Sequence, residues 1–190
     1  MYDLLFYLEL GLFHVLDWNA YDHLLFLIVL TIPFSLKEIK TVFWIVTFFT
    51  FGHTVSLFVS VYGLYTPPEK IIEILIPVTI IIAGFNNLLK SNVIHSFSYR
   101  SFFISILFGI VHGFGFGNFF NQISFPLESK VKPLTGFALG VEVSQLIIVV
   151  CILFINWLVI KLIPYKLSKY IIVVSSIIIG FAFSMTINLV

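Results

Sequence analysis

Seven apolar stretches follow one another along this chain, at about residues 2–16, 20–35, 41–63, 71–89, 101–121, 134–160 and 170–189, with only short polar punctuation between them. A helix that crosses the hydrocarbon of a bilayer needs about 20 predominantly apolar residues, and no other open structure can satisfy its backbone there. The pattern therefore predicts an all-α polytopic transmembrane helix bundle of about seven spans. The first two stretches are short, and the elbow Asp17-Trp18-Asn19 between them is tight. A pair of half-inserted helices, with five full spans, is the alternative.

With 190 residues, seven spans leave no room for a soluble domain, so residues 1–190 read as a single membrane domain. Sixty percent of the residues are hydrophobic and ten percent charged, and a surface of that kind requires the lipid bilayer as its partner. The net charge of +1 and the scattered basic residues argue against nucleic acid. Cys151 is the only cysteine, which excludes an internal disulfide and a thiolate cluster. Asp3 and Glu9, without any Lys or Arg or a cleavage pattern, make the first stretch a retained span rather than a signal peptide. With seven spans, Lys37, Lys40, Lys90, Arg100, Lys161, Lys166 and Lys169 share one side, against Lys70, Lys130 and Lys132 on the other. The positive-inside rule then predicts a cytoplasmic N-terminus and an outside C-terminus.

Ionisable groups inside a membrane cost several kcal/mol unless paired, hydrated or bound to something. Here they are His14, Asp22, His23, His53, His112 and Glu142, all expected in the outer half of the bilayer, with His14, Asp22 and His23 near the outer surface. A lone histidine in a span is commonly an interhelical hydrogen bond; six such groups at one level point instead to convergence. Asp17, His95 and Glu9 read as interfacial, and Asn86 and Asn87 first as helix-to-helix bonds. Gly109 to Gly113 and Gly136 to Gly140 are small-xxx-small patterns, from which spans five and six are expected to pack together and bring His112 near Glu142. Gln145 shares the Glu142 face and is expected to support it by a hydrogen bond.

Imidazole and carboxylate without thiolate suit a divalent transition metal such as Ni, Co or Zn rather than Mg or Ca. The expected ligands are His23, His53 and His112, with Asp22, Glu142 or His14 completing the set. Such a site serves a transporter, but equally an intramembrane zinc-dependent hydrolase of lipid-like substrates in which Asp22 or Glu142 activates water, or a metal-sensing or structural subunit.

His14 with Tyr21-Asp22-His23-Leu24-Leu25-Phe26-Leu27, Phe48 to Leu57 around Phe51-Gly52-His53-Thr54, Phe108 to Phe116 around Val111-His112-Gly113, and Gly140-Val141-Glu142-Val143-Ser144-Gln145-Leu146 together resemble the HupE/UreJ family of bacterial membrane proteins. The likeness covers about residues 10 to 150. The Asp-His and Phe-x-x-Gly-His elements are more distantly similar to the larger nickel/cobalt permeases. The resemblance implies a small bundle in the bacterial inner membrane, associated with nickel or cobalt uptake. His14 stands eight residues before Asp22, a longer spacing than is typical of those relatives.

Overall fold

A computed structural model describes residues 2–17, 21–90, 99–123, 130–162 and 167–189. Among these residues the structure is helix and turn only. The helices are α1 (Tyr2–Leu16), α2 (Asp22–Thr31), α3 (Ile39–Val61), α4 (Glu69–Lys90), α5 (Tyr99–Ile123), α6 (Val131–Leu162) and α7 (Leu167–Asn188), with a 3₁₀ turn at Leu36–Glu38 before α3. Each matches one apolar stretch. Four segments, Leu36–Val61, Glu69–Leu89, Val131–Leu162 and Leu167–Ile187, are long and apolar enough to cross a membrane; α1 and α2 are too short to do so alone. The helices are apolar on every face, and Phe43, Trp44, Phe51, Phe154, Ile177 and Phe181 point outward, an arrangement that only lipid makes favourable.

Glycines set which helices touch. On α5, a Cβ added at Gly109 or Gly113 would run into the backbone carbonyls of Phe49 or His53 on α3, and Ser105 Oγ donates to the Ile45 carbonyl at 2.6 Å. α3 and α5 thus lie side by side and parallel, backbone against backbone. On α6, Gly136 meets the Leu4 carbonyl and Gly140 the Leu8 carbonyl, so α6 pairs with α1, also in parallel. The expected meeting of spans five and six through these glycines is therefore corrected: each small-residue run faces a different, parallel neighbour. Small residues report that some backbone comes close, not which one.

The α1–α6 register also places the chain's first residues. Leu4, Leu8 and Leu16 lie at the levels of Gly136, Gly140 and Ile148 on α6, and the end of α2 reaches Asn156, whose Nδ2 faces the Ile32 and Phe34 carbonyls at 3.4 Å. The two short helices run end to end down α6 and together make one broken crossing. Asn87 Nδ2 holds α2 against α4 and α7 by donating to the Val29 carbonyl (2.6 Å) and Ser175 Oγ (3.3 Å), the helix-to-helix role expected of it. α7 runs antiparallel to α4, with Gly84 against Ile179 and Asn87 beside Ser175. The start of α1 and the end of α7 consequently share one end of the bundle, whereas two complete hairpin-linked spans would have put them at opposite ends.

Candidate metal centre

The end of α1 and the start of α2 lie beside the point where α5 presses on α3. His14 is in the last turn of α1, and Asp22 and His23 open α2. The close approach at Gly109 and Gly113 brings His112 of α5 toward the same space as His53 of α3. Ring centroids are 4.7 Å apart for His14 and His23, 6.1 Å for His14 and His53, 6.4 Å for His23 and His53, and 5.4 Å for His23 and His112. Four of the chain's five histidines thus form one group; His95 lies outside the described residues. His14, Asp22 and His23 sit deeper than expected, because α1 and α2 follow one another along α6 and these three residues fall near its middle.

Ligand atoms of His14, His23 and His53 lie within 4.8 Å of one another. A tetrahedral ion with bonds of about 2.1 Å spaces its nitrogens by about 3.4 Å, so the three rings would draw in by on the order of 1 Å around one. The hydrogen bonds prepare them for this. His23 Nδ1 is 3.1 Å from Asp22 Oδ1, an oxygen that also accepts the His23 backbone N–H at 2.9 Å. His112 Nδ1 is 2.9 Å from the Phe108 carbonyl. In both rings the proton belongs on Nδ1, where it is donated to oxygen, and the lone pair is left on Nε2. The buried Nε2 atoms of His14, His23, His53 and His112, and Nδ1 of His53, have no hydrogen-bond partner. Buried nitrogens are rarely left so, and these five on four converging rings are open to a ligand. Their chemistry fits a borderline divalent cation.

Below them Phe26 and Phe49 close the space, with ring centroids 5.4 and 5.2 Å from His112; Phe137 stacks on His53 from α6 at 6.0 Å. Above them a cavity of about 140 Å³ is lined by His14, Asp22, His23 and His112 on its floor and by Glu69 and Glu73 from α4. The two carboxylates are exposed, one turn apart on one face. Pro77, inside α4, has no N–H to give the Glu73 carbonyl, so that oxygen lacks its usual helical donor. Neither glutamate was among the expected site residues. Their spacing of four was the available signal, but nothing in the sequence places α4 over the histidines.

Glu142 and Gln145 stand apart from this group. Glu142 Oε1 accepts from Thr47 Oγ1 at 2.6 Å and Gln145 Oε1 from Thr50 Oγ1 at 2.9 Å, so both face α3. Gln145 is on the Glu142 face as expected, but its hydrogen bond goes to Thr50. The approach of His112 to Glu142 does not occur, because α5 and α6 are not brought together by their glycines.

Asp22 holds a ring without being needed as a ligand itself. Asp22→Asn is expected to weaken metal affinity 10- to 100-fold while leaving the stoichiometry at one ion, measured by isothermal titration with nickel. Loss of affinity no greater than that of a remote surface substitution would remove Asp22 from this role.

A helical bundle of apolar helices, four of them long enough to cross a bilayer, with imidazoles gathered in its interior defines a polytopic membrane protein with a histidine group that could hold a metal ion. The family model described as HupE / UreJ protein matches residues 1–188, and the chain belongs to that family. No curated protein and no solved structure matches the chain.

Proposed function

We propose that this protein is a divalent transition-metal transporter of the nickel/cobalt type, seated in the bacterial inner membrane. The observation that carries the reading is the set of unpartnered imidazole nitrogens at a break between two half-length helices, beneath a cavity edged by carboxylates. Broken helices at a central site are the usual way a membrane protein offers a site that opens to either side. Glu69 and Glu73 attract the hydrated cation, and His14, His23, His53 and His112 replace its water. The positive-inside rule, applied to the lysine-rich end, makes that end cytoplasmic and turns the start of α1 and the end of α7 outward, so the cytoplasmic N-terminus expected from seven full spans is replaced on this reading by an outer one. Nickel or cobalt is the cargo here, chosen over zinc on the family's association.

The commitment of Asp22 to His23 and of Glu142 to Thr47 weighs against the hydrolase reading, which requires one of these carboxylates to activate water. The test is uptake into proteoliposomes loaded with a metal-sensitive dye. Wild type is expected to admit Ni²⁺ or Co²⁺, His53→Ala to admit neither, and the double variant Glu69→Gln, Glu73→Gln to slow entry several-fold at low ionic strength while the affinity of the imidazoles is unchanged. Stoichiometric binding without uptake by wild type would overturn transport in favour of a sensing or structural subunit.

A further inference from the structure

We propose that the seam between α3 and α6 holds a second cation site, built from oxygen, separate from the imidazoles, and suited to a monovalent cation of the sodium class. This goes beyond the transport reading and does not depend on it. The seam contains Thr47 and Thr50 of α3, one turn apart, facing Glu142 and Gln145 of α6, also one turn apart. Glu142 Oε2 is buried and has no partner, and neither has the amide nitrogen of Gln145, a side chain with no solvent exposure at all. An open carboxylate oxygen and an open amide end on one helix face, inside a membrane, are costly unless something occupies the space they share.

The donor set identifies the occupant. The two ends of an amide have the same shape, and turning Gln145 over keeps every bond: its nitrogen then donates to Thr50 Oγ1, which passes its own proton to the Val46 carbonyl at 3.3 Å. The amide oxygen is freed as an acceptor on the same face as Glu142 Oε2. Every group offered is now oxygen: carboxylate, amide and two hydroxyls. That set suits a hard cation and is unlike the imidazole centre. Charge selects valence. Glu142 is the sole carboxylate among these groups, so one monovalent cation neutralises it, whereas a divalent ion would leave a net charge in low dielectric. The hydrogen bonds of Glu142 and Gln145 run to Thr47 and Thr50 and to none of the imidazoles.

The experiment is thermal unfolding of the detergent-purified protein, stripped of transition metal with a chelator, in choline chloride against sodium chloride at equal ionic strength. The expected result is a saturable rise in Tm of about 5 °C with sodium. The rise is expected to vanish in Glu142→Gln and in Thr50→Val, each compared with its own choline baseline, and to persist in His53→Ala. The absence of a sodium-dependent rise in wild type, its survival in Glu142→Gln, or its loss in His53→Ala would each overturn the proposal. Because the measurement contains no nickel, failure of the transport reading leaves its outcome untouched.

Discussion

Replacing His53 with alanine is expected to abolish metal binding almost completely. Its ring is the only one of the four with both nitrogens buried and unpartnered, and it faces His14 and His23 together. Removing it leaves His14 and His23 as a two-imidazole fragment, with His112 reached only through His23. Supporting hydrogen bonds around metal ligands are worth 10- to 100-fold in affinity, so a direct ligand should cost at least the upper end of that range, about 3 kcal/mol. Elemental mass spectrometry of purified protein incubated with nickel should give near one ion per chain for wild type and close to none for His53→Ala. The same loss is expected of His23→Ala. Full metal content in either variant would dissolve the centre and leave the histidines as interhelical contacts.

The second large effect comes from the backbone contact that positions two of those rings. Gly113→Leu should drive α5 away from α3, because even a Cβ at that position meets the His53 carbonyl and Ser56 Oγ. Overpacking of this kind costs about 3 kcal/mol, and for a chain of this size that lowers Tm by roughly 6–12 °C. Metal binding should fall with it, since His112 is the neighbouring residue and His53 the partner struck. Gly180→Leu is the control: nothing lies within 4 Å of a Cβ there, so unfolding and metal content should both match wild type. Equal damage from the two substitutions would show that the α3–α5 contact has no special role.

Much of this was legible in the sequence, for a physical reason: a bilayer demands long apolar runs, and seven runs gave seven helices. The gathering of His14, His23, His53 and His112 followed from the cost of each one alone in lipid. Depth was harder to read. Asp17-Trp18-Asn19 has the polarity of a surface turn, and only the register of Leu4, Leu8 and Leu16 along α6, with Ile32 and Phe34 beside Asn156, shows that α1 and α2 share one line along that helix. Pairing was harder still, since Gly109 and Gly113 could not name α3, nor Gly136 and Gly140 name α1. That is why Glu142 was expected beside His112 and is found with Thr47. Glu69 and Glu73 were invisible as site residues for the same reason: their partners are distant in sequence and chosen by packing.

The docking of α1 on α6 also sets an order of events during synthesis. His14 leaves the ribosome well ahead of the glycines that seat its helix, since Gly136 and Gly140 follow on the order of 100 residues later. At roughly 5–20 residues per second that interval is about 5–20 s. Until then His23, His53 and His112 can assemble without their fourth ring. Completion of the centre thus reports that the first and sixth helices have found each other, and a captured ion would lock the two ends of the chain's history together.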